Sequence, residues 1–271
     1  MILLRVGLIA LLSGISLNVQ AALVVCADPN NLPFSDRHEA GFENKLAQLL
    51  ARDLHTDLKY EWWAQRRGFA RQTLSQSRCD IWPGVAAGIE TMATSAPYYT
   101  STYVFATRQS QALAHLSLDD PRLRELRLGV QLVGDDGMNT PPASALASRG
   151  ITQNVRGYTL YGDYRRPDPP AAIMDALVKG AVKVALVWGP LAGFYARHSH
   201  LPLRLEPILP GAQDTAPMSF PIAVGIRRNE PELRDRINRA LRDEAPAIQR
   251  LLQSYGVPLT ATPVAASRSG P

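Results

Sequence analysis

Five histidines, two cysteines and 24 acidic side chains are the groups in this 271-residue chain with chemistry to offer, and their spacing excludes most of it. His38, His55, His115, His198 and His200 form no H-E-x-x-H or other metal-ligand spacing, and His198 and His200 fall in a polar turn as solvated surface. No G-x-S-x-G elbow, G-x-G-x-x-G fingerprint or phosphate-binding loop occurs. Two cysteines without a nearby histidine pattern do not make a zinc site, and no C-x-x-C-H marks a c-type haem. The sequence therefore assigns no catalytic group, no metal and no cofactor, and points to binding chemistry.

That chemistry concentrates in a few runs. "CADPNNLPFS", Cys26 to Ser35, follows the short apolar strand Leu23 to Val25, and such a strand opening into a polar loop presents ligand-facing residues, here Asn31, Pro33 and Phe34. In "WWAQRRGF", adjacent tryptophans at a strand end project to opposite faces, one into the core and Trp63 toward a cleft with Gln65 and Arg66. A tryptophan core with solvated arginines is the plainer reading of the same run. Asp135 and Asp136 stand where a helix begins after a strand, where they cap it and oppose an anionic ligand. Tyr161, Asp163 and Trp188 lie at predicted carboxyl ends of later strands, and Tyr98 and Tyr99 at the start of a crossover. The expected cleft is large and aromatic.

The elements that must position these residues alternate. "LVVCA", "DLKYEWW" and "CDIWPGV" read as strands, with helices over Phe42 to Leu54 and Arg67 to Ser77 between them. A second β-α-β-α-β series runs through "LRLGVQLV", "QNVRGY" and "VKVALVWG". Each series is followed by a long β-rich run, Tyr98 to Thr107 and then "FPIAVGIRR". A final helix starts at Asn229 as N-cap and is broken or kinked at Pro246. The pattern predicts an α/β protein of two lobes joined by two crossover strands, the layout of a type II periplasmic binding protein. A single Rossmann-like domain with a C-terminal extension is the alternative. The expected divisions are a signal peptide over 1–21, lobe one over 22–107 and 220–259, lobe two over 108–219, and a disordered tail over 260–271.

The first 21 residues carry one charge, Arg5, an apolar run from Val6 to Leu17 too short to span a bilayer, and small residues before Ala22. They read as an export signal, with a short N-terminal anchor as the alternative. Net charge is +5, supplied mainly by dispersed arginines mixed with acids, which argues against nucleic-acid binding and is compatible with an acidic protein partner. An oxidising compartment makes a Cys26–Cys79 disulfide the default, against two buried thiols.

Taken in order, "CADPNNLPFS", "GFENKLAQLLARDL", "WWAQRRGF", "PYYTSTYVFATR", "GVQLVGDDGMNTPPA", "NVRGYTLYGDY" and "ALVWGPLAGFYA" resemble the binding-protein-like partners of pyrroloquinoline-quinone (PQQ) methanol dehydrogenases, the MxaJ/XoxJ type, from Leu23 to about Gly256. The resemblance implies a type II periplasmic binding fold and residence in the periplasm beside a PQQ-dependent methanol dehydrogenase and its cytochrome c. It implies a non-catalytic accessory role; a solute receptor of an ABC importer and a dehydratase on the same fold are the other readings. The chain departs from the family pattern at Trp82, Pro83, Ala96 and Pro221, which bears on the ligand more than on the fold. Amino-acid receptors of this fold hold the ligand carboxylate with an Arg where Gly88 stands, and the ammonium with an Asp where Trp188 and Gly189 stand. Both charged anchors are missing, which argues against amino-acid binding.

Overall fold

The computed structural model describes residues 21–66, 68–133, 139–159, 164 and 168–260. The expected export signal (except Ala21), Arg67, Asp135, Asp136, Tyr161, Asp163 and the tail from residue 261 lie outside the described residues. In chain order the elements are β1 (Leu23–Ala27), β2 (Asn30–Asn31), β3 (Ser35–Asp36), α1 (Phe42–Asp53), β4 (Leu58–Trp62), α2 (Phe69–Gln72), β5 (Ile81–Ala86), β6 (Ala93–Thr94) and β7 (Tyr99–Arg108). There follow β8 (Leu128–Leu132), α3 (Pro141–Ser148), β9 (Val155–Thr159), α4 (Ala172–Val178), β10 (Val184–Trp188), α5 (Gly189–His198), β11 (Leu203–Pro207), β12 (Ser219–Ile226), α6 (Pro231–Asp243) and α7 (Ala245–Ser254).

The main sheet runs β4-β1-β5-β12-β7-β10-β8-β9, with β11 also on β7 and β6 on β12. Its two ends are parallel: β1 pairs with β4 and β5, and β8 with β10 and β9. Its middle is antiparallel and joins them. Tyr99 to Thr102 of β7 pair with β12, and Tyr103 to Thr107 pair with β10, so one strand belongs to both halves. The chain thus forms two α/β lobes of the type II periplasmic binding fold, crossed by β7 and β12.

Each lobe has its own core. In α1 the spacing of Phe42, Leu46 and Leu50 puts all three on one face, each at most 1 % exposed. They pack with Val25, Ile81 and Ile226 and with Ile237, Leu241, Ile248 and Leu252 of α6 and α7. The end of the chain therefore returns to the first lobe. Burying each such aliphatic side chain contributes about 1.5–3 kcal/mol. In the second lobe Phe105, Leu128, Val130 and Leu186 cover one sheet face, and Val104, Ala185, Ile173 and Leu177 the other.

Cys26 lies in β1 and Cys79 just before β5, two neighbouring strands in which Val25 is opposite Ile81. Their Cα atoms are 5.5 Å apart and the two form a disulfide.

Four local expectations need correction. β5 does not end at Pro83-Gly84 but continues to Ala86 through a bulge. Across it Ala223 pairs with Val85 and Val224 with Pro83, leaving Gly84 unpaired at φ +83°. The helix expected over Arg67 to Ser77 is a single α-turn, Phe69–Gln72, followed by a 3-10 turn. The last helix is capped by Glu230, not Asn229, and is two helices meeting at Glu244, with Pro246 in the first turn of the second. β11 was not expected although "LRLEP" alternates apolar and charged residues, because the run is short and ends in Pro207; it pairs with β7. Among the described residues no helix is long and apolar enough to cross a membrane.

Candidate functional site

A cavity of about 300 Å³ lies between the lobes, at the carboxyl ends of β1, β5, β8 and β10. The first lobe contributes Asp28, Asn30, Asn31, Phe34, Glu43, Gln65, Pro83 and Gly84. The second contributes Gln131, Tyr164, Pro170, Trp188 and Leu191, and the crossing strands add Tyr103, Phe220 and Ile222.

Asp28, the residue after β1, organises the first wall. It is 2 % exposed. One carboxylate oxygen accepts the Asn30 amide N–H at 2.8 Å, and the other accepts that of Gln65 at 2.6 Å. The Tyr164 hydroxyl donates to the second oxygen from the opposite lobe. Burial, then this bond to Asp28, raises the Tyr164 phenol far above its usual pKa. Ser35 ties the loop further: its hydroxyl donates to the Asp28 carbonyl at 2.9 Å. The Asn31 amide donates to Gln65 Oε1 at 3.0 Å.

Glu43, in the first turn of α1, is half-buried and lines the cavity. Its carboxyl has no hydrogen-bond partner among the described residues. Burial, and secondly the charge of Asp28, pushes its pKa up to about 8. The bulge makes room for it: a Cβ at Gly84 would collide with Glu43 Oε1.

On the second lobe Gln131 Oε1 accepts the Trp188 amide N–H at 2.9 Å, which leaves the Gln131 NH₂ as a donor. Tyr103, Trp188 and Phe220 form an edge-to-face cluster with centroids 5.0–6.5 Å apart. Among the described residues the lining holds no Arg or Lys. Nor do three His, Cys, Asp or Glu side chains gather anywhere among them as a metal site.

The residues singled out from sequence divide. Asn31, Phe34, Gln65 and Trp188 line the cavity. Arg66 lies at its rim, the guanidinium 4.8 Å from the Tyr164 ring centroid. Pro33 shapes the loop before Phe34 and does not line the cavity. Trp63 is 37 % exposed beside Arg78, outside the cavity, and Trp62 on the other face stacks on Tyr60 at 4.6 Å. Tyr98 and Tyr99 do not reach it either: they precede or begin β7 on the side of α1, where Tyr99 packs on Phe42 at 6.2 Å. Asp28, Glu43, Gln131, Tyr103 and Phe220 were missed. Asp28 and Gln131 carried a usable signal, each at the carboxyl end of a strand of its own series. Tyr103 sits mid-strand in β7 and Phe220 near the start of β12, so neither follows the carboxyl end of a strand.

A family model described as bacterial extracellular solute-binding proteins, family 3, matches residues 23–256. The chain belongs to this family. Within it, this family 3 protein is 30 % identical to Protein MoxJ of Methylorubrum extorquens over 250 residues, 88 % of this chain and 81 % of that one. It is similar in structure to periplasmic binding protein XoxJ from Methylobacterium extorquens AM1, with TM-score 0.73 and 33 % identity over 89 % of this chain and 100 % of that one. MxaJ from Methlophaga aminisulfidivorans MPT gives TM-score 0.77 and 25 % identity over 88 % of this chain and all of the other. The family 3 protein has an interlobe cavity lined by aromatic, amide and carboxyl groups.

Proposed function

We propose that this protein is an exported, non-catalytic accessory protein of a PQQ-dependent methanol dehydrogenase, acting in the periplasm through contact with the dehydrogenase and through its interlobe cavity. The observation that carries the reading is the likeness to MoxJ, XoxJ and MxaJ along nearly the whole chain, not in one lobe. The cavity supports it from the other side. An amino-acid receptor of this fold would need a bidentate cation for the ligand carboxylate, and the described lining offers none. Asp28 and Glu43 stand there instead.

Receptor work in an ABC importer for a small ligand that is not an amino acid is the second reading, favoured by the closed contacts across the cleft: Tyr164 on Asp28, and the Tyr195 hydroxyl 3.4 Å from the Leu32 carbonyl. A tagged copy retained on resin from a periplasmic extract separates the two. The accessory role predicts retention of the dehydrogenase, with its cytochrome c. Retention of neither, together with co-purification of a permease from solubilised membranes, would reverse the order.

A further inference from the structure

We propose that the cavity takes a small organic cation without a carboxylate of its own, a primary or quaternary ammonium, held by Glu43 against the aromatic wall. This rests on reading the cavity as a ligand site and is independent of the contact with the dehydrogenase.

Three features of the cavity converge. First, Glu43 is the lining carboxyl with its capacity unspent: Asp28, the other carboxylate, already accepts three hydrogen bonds. A bulge with no Cβ is built over the Glu43 carboxyl, and its open side faces the cavity. Second, an anion would meet two carboxyl groups and no Arg or Lys among the described lining residues. Third, Phe34, Tyr103, Tyr164, Trp188 and Phe220 present aromatic surface, which attracts ammonium groups once they are desolvated. A neutral ligand leaves the first feature without a purpose.

The cation must displace a proton. The titratable groups facing Glu43 are Asp28 from the loop after β1 and Tyr98 and Tyr99 before and at the start of β7; from β5 only the backbone of Gly84 meets it. None is basic, so at rest the carboxyl is mostly protonated at pH 7, with a pKa of about 8. The binding-competent, ionised fraction falls about tenfold per pH unit below that value, and apparent affinity falls with it.

The test is titration calorimetry of the full exported chain with choline, butylammonium, 3,3-dimethylbutan-1-ol (the uncharged isostere of choline) and glycine betaine. We expect both cations to bind at least tenfold tighter at pH 8 than at pH 6, with protons released at pH 7 in buffers of different ionisation heat. The alcohol should bind at least tenfold more weakly than choline and without pH dependence, and betaine should give no signal. Glu43→Gln should weaken choline binding at least tenfold at pH 8 and flatten its pH profile. Should that variant fail to fold, the comparison of choline with its isostere on the unaltered chain still decides. Equal binding of choline and the alcohol, tighter binding of betaine, affinity independent of pH, or no binding of either cation at millimolar concentration would each overturn the proposal. A preparation that binds the dehydrogenase but no cation overturns the cation alone. One that binds choline but no dehydrogenase overturns the accessory role alone.

Discussion

The Glu43 carboxyl has lost bulk water without gaining a protein partner, and that has a consequence for stability. Its folded-state pKa of about 8 lies above the ordinary 4.5, so between those values the folded protein binds more protons than the unfolded chain. Stability from this group is therefore fully present below about 4.5 and is lost as pH rises toward 8. At 1.36 kcal/mol per pKa unit the loss at pH 7 is on the order of 3 kcal/mol. Glu43→Gln should raise the urea midpoint at pH 7 and leave it nearly unchanged at pH 4.5. An equal shift at both pH values would show that the carboxyl is not protonated in the fold. Gly84→Ala works on the same contact from the other side. A Cβ at φ +83° costs about 1–2 kcal/mol in backbone strain, and the collision with Glu43 adds to it. The variant should unfold at lower urea, and the choline affinity should drop with it.

Among the elements, the pairing of β1 with β5 sets the disulfide, which closes a sequence separation of 53 residues. The chain-entropy model gives it about 4 kcal/mol. Replacing Cys26 and Cys79 together by Ala should lower the unfolding free energy by about that amount, read by equilibrium denaturation, while two alkylatable thiols in the native protein would deny the bond. In the second lobe Arg149 at the end of α3 is 9 % exposed and bonds Asp214 at 2.6 and 3.0 Å. That guanidinium holds the Asp214 carboxyl below its ordinary range. The stabilisation is present above the unfolded carboxylate range and lost as pH falls through the lowered value. Arg149→Ala leaves the buried Asp214 carboxylate without its cation, with only the Gly211 N–H still bonded to it, and should cost about 3 kcal/mol. Elements were legible in the sequence where a period ran long enough: the apolar stripes of α1 and α6, the strands of both parallel series, the break before Pro246. β11 was overlooked although its residues alternate, because four alternating residues closed by a proline are too few to stand out. The site was half legible. Loop residues such as Asn31, Phe34 and Gln65 announce themselves by following a strand, whereas Glu43 looks like any acidic residue in a first helical turn until Gly84 is placed above it.

Taken whole, the molecule is two lobes held shut around the cavity. Tyr164 reaches Asp28 and stacks under Arg66, Phe34 packs on both lobes, and Phe194 of α5 stacks on Tyr255 at 5.8 Å. α5 also meets the end of the chain so closely that a Cβ at Gly193 would collide with the Gly256 carbonyl. The chain's net charge of +5 is compatible with an acidic partner. The measurement that bears most directly on the accessory role is surface plasmon resonance between this protein and the methanol dehydrogenase encoded nearest to it, at low and at high salt. Exposed charges are screened beyond about 8–10 Å at physiological ionic strength, so steering by surface arginines predicts specific binding whose association rate falls as salt rises. No binding at either salt, with no effect of the protein on dehydrogenase activity, would contradict the account.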